Sequence, residues 1–207
     1  MWRFTVSVVC VLLLVTSSAF AGPIRTYVGA SAGFTLPGDS TVTDADGISA
    51  DVTYDPGLSL SGFVGHEFGM GLRLEGEVNY KKTSVDKFKL AGTTSTPGSD
   101  FESLGIMANA YYDFLTNRNF TPYAGGGIGF SSATMSSADV NGQRMWNSDN
   151  ATAFAYQVGL GCSVMIDRRT AFDLGYRYYA TGDYKIDQVT TKVNSHNIML
   201  GLKYYIY

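Results

Sequence analysis

Apolar and polar residues alternate with a period of two along most of the chain, the repeat of a β-strand whose two faces meet different surroundings. After Pro23 the alternation divides into eight segments: Thr26–Thr35, Gly57–Phe68, Leu72–Lys82, Phe101–Phe114, Pro122–Ser132, Ala153–Ile166, Thr170–Ala180 and Ser195–Tyr207. RLEGEVNY (Arg73–Tyr80) shows the pattern: Leu74, Gly76, Val78 and Tyr80 hold one set of positions, Arg73, Glu75, Glu77 and Asn79 the other. The apolar set includes Val28 and Phe34, Leu58 and Val64, Leu72 and Val78, Leu104 and Phe114, Val158 and Leu160, and Leu200 and Leu202; no Asp, Glu, Lys or Arg interrupts it within the stretches these residues span. Long connections (residues 36–56, 83–100, 133–151 and 181–194) alternate with short ones (69–71, 115–121 and 167–169), which predicts an antiparallel up-and-down meander. Each segment is close to the roughly 9–11 residues of a tilted membrane strand, or slightly longer.

Alternation by itself fits two barrels: a soluble, lipocalin-like one with the apolar set around a ligand, and a membrane one with that set outside. Three features favour the second. The polar set is rich in small residues (Gly29, Ser31, Gly33, Gly125, Gly127, Gly129, Gly159, Gly161 and Ser163), which suits a narrow lumen better than a water-facing surface. Aromatic residues of the apolar set gather towards strand ends, at Phe34, Phe68, Tyr80, Phe114, Phe130, Phe154, Tyr178 and Tyr204, where lipid–water girdles lie. The last strand, LGLKYYIY, is itself aromatic-rich. The expected fold is all-β: an eight-stranded antiparallel up-and-down transmembrane β-barrel.

Composition agrees. In 207 residues, charged side chains make up only 16% and aromatic ones 14%, with 24 Gly and 5 Pro, as a turn-rich barrel of one domain requires. A net charge of −3 leaves no basic excess, so nucleic acid is not an expected partner. Residues 1–21 stand apart: Arg3, an apolar run from Phe4 to Val15, and Ser18-Ala19-Phe20-Ala21 describe a signal peptide cleaved after Ala21, leaving 22–207 as the barrel domain. An uncleaved membrane helix fits the small-residue cleavage site less well. Once the leader is removed, Cys162 is the remaining cysteine, so no intramolecular disulfide is expected.

The stretches LEGEVNY, TPYAGGGIGF, AYQVGLGCSVMID, FDLGYRYY and NIMLGLKYYIY carry a resemblance. From Thr26 to Tyr207 the chain resembles the OmpA-like/opacity-type family of small eight-stranded outer-membrane barrels. The resemblance implies the outer membrane of a Gram-negative cell, export through the cleaved leader, and a monomer. It implies as partners outer-membrane lipid and lipopolysaccharide, host surface molecules, and the barrel-assembly machinery reading a C-terminal signal at Gly201, Tyr204, Ile206 and Tyr207. Such signals usually end on an aromatic; here Ile206 takes that place and Tyr207 follows.

With the apolar set outside, the charges of the polar set turn inward: Glu67, Arg73, Glu75, Glu77, Asp113, Asp173, Arg177 and Lys203. A guanidinium in a narrow lumen needs carboxylate partners. A network centred on Arg177 with Glu75, Glu77 or Asp173 is expected, with Asn109, Tyr111, Gln157 and Tyr179 satisfying leftover lone pairs. Such a network either fills and braces the barrel or gates a narrow pore.

Catalysis has little to work with. Beyond the leader the histidines are His66, in the lipid-facing set, and His196, at the outer rim, and Ser195-His196-Asn197 is not the His-x-Ser pair of lipid A deacylases. No catalytic residue, cofactor or metal is expected. AGGGIGF lies in a strand with no helix after it and is not a phosphate loop. The acidic first loop (Asp39, Asp44, Asp46, Asp51, Asp55) lacks the spacing of a Ca²⁺ site. Lys87, Lys89, Lys185 and Lys192 could reach lipopolysaccharide phosphates, and Met145 and Trp146 offer an apolar loop tip. The function expected is structural or surface-exposed (envelope integrity, adhesion or antigenic display) and carried by extracellular loops; the alternative is a narrow porin-like channel gated by the lumenal charges.

Overall fold

The computed structural model describes residues 25–38, 40–43, 49–90, 93–95, 100–114, 119–135, 139–140, 143–144, 149–186 and 189–206. Eight long strands make the wall: β1 (Arg25–Pro37), β2 (Gly57–Glu67), β3 (Leu72–Leu90), β4 (Asp100–Asp113), β5 (Phe120–Met135), β6 (Asp149–Met165), β7 (Thr170–Thr181) and β8 (Asn194–Ile206). Each runs antiparallel to its neighbour in sequence. β1 pairs with β8 from Thr26↔Ile206 to Pro37↔Ser195, which closes the barrel. Closure leaves the wall no open edge, so its backbone amides bond to one another rather than to lipid.

The strands are the eight expected, but three run further at the long-connection end. β3 continues past Lys82 to Leu90, β5 to Met135, and β6 begins at Asp149. Short strands Ser40–Thr43 and Ser49–Tyr54 add to the β3 extension, and Tyr184–Ile186 pairs with Val189–Thr191. Beyond the membrane both faces of a strand meet water, so apolar alternation fades while backbone pairing persists.

The tight turns at the opposite end have local causes. Gly69–Gly71 forms a single 3₁₀ turn closed by Phe68 N–H donating to Leu72 O at 2.7 Å. Met70 and Gly71 both take positive φ, at 72° and 84°, and a side chain on Gly71 would also strike the Asp113 carbonyl. In the turn after β6, Asp167 Oδ1 accepts the amides of Arg169 (2.7 Å) and Thr170 (2.8 Å). Those bonds, the Arg169 amide first, hold the Asp167 carboxyl below the usual carboxylate range.

The hydrophobic face is the outer one. On β3, Leu74 and Val78 are exposed while Arg73, Glu75, Glu77, Asn79 and Lys81 are buried. On β8, Ile198, Leu200, Leu202, Tyr204 and Ile206 point out and Asn197, Met199, Lys203 and Tyr205 point in. Aromatic pairs mark the two rims: Tyr112–Phe114 (centroids 5.4 Å apart) near the short turns, and Phe130–Phe154 (6.2 Å) and Tyr178–His196 (5.3 Å) near the long connections.

Small inward residues let strands reach across one another. Gly65 on β2 stands in register between Tyr27 on β1 and Glu75 on β3; any side chain there would occupy the place of the Tyr27 ring. Gly127 on β5 likewise separates Asn109 on β4 from Gln157 on β6, and a side chain would strike the Asn109 amide and the Ala108 carbonyl.

Leu200→Lys places an ammonium on the lipid face in mid-strand and is expected to destabilise the barrel by about 2–4 kcal/mol, read from urea unfolding in lipid vesicles. Asp167 supports the fold through its ionised form. Because its folded pKa is depressed, the advantage of wild type over Asp167→Asn is expected at neutral pH and lost as pH falls below about 4, followed by the unfolding midpoint against pH.

Candidate functional site in the lumen

From the short-turn end upward, the lumen is filled in layers. At the rim, half-buried Glu67 accepts the Tyr205 hydroxyl (2.6 Å) and faces Arg25 Nη1 (3.6 Å), whose guanidinium lies 4.0 Å over the Tyr205 ring. Tyr27, Phe63, Ala171 and Tyr205 pack above it.

The next layer holds two ion-paired centres. Arg73 lies 3.6 Å from Glu75 Oε2 and 3.4 Å from Asp113 Oδ1, with the Tyr123 and Tyr111 rings 4.5 and 4.7 Å from its guanidinium carbon. Tyr27 donates to Glu75 (2.7 Å) across the gap at Gly65 and accepts from Arg73 (3.3 Å). Beside it, Asp173 Oδ2 accepts Lys203 Nζ (2.6 Å) and Ser163 Oγ (2.7 Å), and Oδ1 accepts the Tyr123 hydroxyl (2.8 Å).

A third centre sits higher. Glu77 Oε2 accepts Arg177 Nη1 (2.8 Å), Asn109 Nδ2 (2.9 Å) and Gln157 Nε2 (3.2 Å), and Gln157 also donates to Asn109 Oδ1 (2.7 Å) across Gly127. Above it Lys81 lies over the Tyr179 ring, which packs with Met107 and Ala155. Ser103 and Ser131 (2.9 Å) and the buried ring of Tyr184, from outside the eight wall strands, complete the upper lumen.

The eight charges singled out in the sequence all lie on the inner side, with Glu67 at the rim. The structure brings Arg177 to Glu77 but not to Asp173, which Lys203 holds, nor to Glu75, which pairs with Arg73. Three separate centres replace one centred on Arg177. Four residues of strand, about 13 Å, separate Arg177 from Asp173 on β7, too far to share a carboxylate site. Asn109 and Gln157 do bond a carboxylate, whereas Tyr111 and Tyr179 present ring faces to Arg73 and Lys81.

Sequence reasoning passed over Tyr27, Tyr123, Tyr205, Ser163 and Lys81. The usable signal was parity: each falls in the polar, inward alternate set of its own strand, where an aromatic cannot belong to the lipid face.

Gly201 faces the lumen beside Ser31 and Asp173, while Tyr204 and Ile206 face outward on β8, where the Tyr204 hydroxyl accepts from Arg169 Nη1 at 3.5 Å. Tyr207, residues 1–21, Asp39, Asp44, Asp46, Met145 and Trp146 lie outside the described residues. Lys87 and Lys89 fall on the β3 extension with Asp51 on the strand paired to it, and Lys185 on Tyr184–Ile186. Lys192 pairs with Asp183 (3.5 Å), and the Asp55 carbonyl accepts Thr83 Oγ1 (2.8 Å). His66 Nδ1 bonds Thr26 Oγ1 (2.9 Å), and His196 Nδ1 bonds the Tyr176 hydroxyl (2.6 Å) on the outer face.

A family model described as "Outer membrane protein beta-barrel domain" matches residues 7–205. An outer membrane protein of Gluconacetobacter diazotrophicus is 28% identical over 185 residues, 75% of this chain and 48% of that protein. A candidate adhesin, RC1281, of Rickettsia conorii is 29% identical over 117 residues, 49% of this chain and 47% of that protein. The chain thus spans about half the length of the curated relatives it matches. Among solved structures, Neisserial surface protein A is similar with a TM-score of 0.54 and 26% identity, covering 86% of this chain and 96% of that one.

Arg177→Met leaves the buried Glu77 side chain with amide donors alone, and is expected to cost about 3–5 kcal/mol in urea unfolding of the folded barrel in micelles. Adding Glu77→Gln removes the stranded charge and is expected to restore most of that loss. A double variant as unstable as the single one would show that the pair does not act as a unit.

Proposed function

The chain belongs to the outer membrane protein beta-barrel domain family, and from that premise we propose that its activity lies in what the barrel displays, not in what passes through it. The protein is an integral β-barrel of the outer membrane, and its apolar belt meets outer-membrane lipid. In our reading the long connections face the cell exterior, as in barrels of this build. There they serve adhesion or antigenic display, with host surface molecules and lipopolysaccharide as partners.

One observation carries this reading: three ion-paired centres fill the lumen from wall to wall, while the wall itself continues beyond the apolar belt as paired strands. A filled lumen argues against solute passage. The cavities beside Lys81 measure only about 20 and 10 Å³, the scale of single water molecules. The likeness to a candidate adhesin and to a surface protein supports the same reading. A non-catalytic role accords with two histidines bonded on the outer face, away from the lumenal carboxylates. We also infer a leader cleaved after Ala21, assembly through β8 as the signal strand, and a monomer, since closure leaves no wall edge for a second copy.

The test pairs adherence with conductance. A non-adherent Gram-negative strain displaying the protein is expected to bind host cells, and replacing residues 39–48 and 141–148 with short Gly-Ser linkers is expected to abolish binding while heat-modifiable mobility on gels is retained. Adherence unchanged by the replacement overturns the loop-mediated role. In planar bilayers wild type is expected to be silent; stepwise conductance in wild type, altered in Arg177→Leu, would transfer the function to a pore.

A further inference from the structure

Lys81 breaks the pairing rule of the lumen. Among the described residues Arg73, Arg177 and Lys203 each have a carboxylate within 3.6 Å, whereas Lys81 Nζ has no hydrogen-bond partner although the residue is only 8% exposed. Its ammonium lies 3.0 Å from the centroid of the Tyr179 ring, and a ring face offsets only part of the cost of removing a cation from water. The imbalance is regional. Among the described lumen-facing side chains, two cations, Arg177 and Lys81, stand with one carboxylate at the level of Glu77 and above; nearer the short turns three carboxylates, Glu75, Asp113 and Asp173, face two cations, Arg73 and Lys203.

Lys81 lines two cavities. The outer one, about 20 Å³, is lined by Lys81 with the hydroxyl-bearing side chains of Thr35, Thr83, Ser103, Tyr184 and Ser195. The deeper one, about 10 Å³, is lined by Lys81, Asn79, Gln157, Arg177, Asn197 and the Glu77 carboxylate that Arg177 holds; there Asn79 Nδ2 and the Asn79 and Asn197 Oδ1 atoms also lack partners. The deeper cavity, with acceptors as well as donors, suits a bridging water. The outer one sets the Lys81 side chain among those hydroxyls and the apolar Pro37, Phe101 and Val193.

We propose that the outer cavity is a binding site for a small monovalent inorganic anion, a halide, held by Lys81 Nζ. A water of the same size would complete the hydrogen bonds but leave the ammonium without a counter-charge. The site does not depend on what the loops bind.

Bromide is the probe. The full barrel, refolded in zwitterionic micelles, is unfolded with urea in sodium bromide or sodium gluconate of equal ionic strength, as wild type, Lys81→Met and Lys82→Met. Lys82 is the control, paired with Glu102 at 3.2 Å and only half-buried. In wild type and Lys82→Met the unfolding constant is expected to fall about tenfold once bromide exceeds its Kd about tenfold. Lys81→Met is expected to show no bromide response. Crystals of wild type grown in bromide decide independently of whether Lys81→Met folds: an anomalous peak within hydrogen-bond distance of Lys81 Nζ is expected. A water without anomalous signal there, or a bromide response undiminished in Lys81→Met, overturns the proposal.

Discussion

A peptide group in hydrocarbon has no water to bond, and the pairing of β1 with β8 is the contact that answers this constraint. Closing the wall satisfies its backbone but creates a second problem. Eight strands enclose a lumen wide enough for side chains and too narrow to be a bulk-water channel. Every side chain that cannot face lipid must enter that space. The inner face therefore alternates between residues that fill, such as Arg73, Tyr27 and Tyr123, and residues such as Gly65 and Gly127 that leave room for neighbours to cross.

The charges inside are better understood as braces than as a source of net stability. Desolvation offsets much of the attraction in a buried ion pair. What the contacts here supply is cross-linking between strands that do not share backbone hydrogen bonds. Arg177 on β7 meets Glu77 on β3, Tyr27 on β1 meets Glu75 on β3, and Tyr123 on β5 meets Asp173 on β7. These ties fix the cross-section of the barrel. They also fix its register, because a slip of one residue would turn Glu77 or Asp173 towards lipid.

A braced, filled barrel is a rigid base, and its rigidity carries upward. β3, β5 and β6 run on beyond the apolar belt, so the connections at that end spring from paired strands. The surface-presenting role we propose would draw on this arrangement: the membrane part would need only to be stable, while the sequence at the long-connection end varies in chemistry from an acidic first loop to lysines near the third and eighth strands.

RLEGEVNY shows where legibility begins and ends. Its period of two, repeated in eight segments, determined strand number and which side chains share a face, because those depend on alternation along one strand at a time. The antiparallel order came from the alternating long and short connections, and the lipid face from the small residues of the polar set and the aromatic residues at strand ends. The alternation assigned eight charges to the inner face, and the structure sets their side chains on the lumenal side of the wall. It did not determine partners. Whether Arg177 meets Glu77 or Asp173 depends on strand tilt and on the stagger between β3 and β7, which lie on opposite parts of the wall and leave no trace in local spacing. The strand extensions were hidden for a related reason: outside the membrane both faces meet water, so pairing continues where alternation stops. Lys81, one alternate position beyond Asn79, was legible by parity as an inward residue; that it alone among the described lumenal cations lacks a carboxylate was decided by the tertiary structure, since only the closed barrel sets the distances across the lumen.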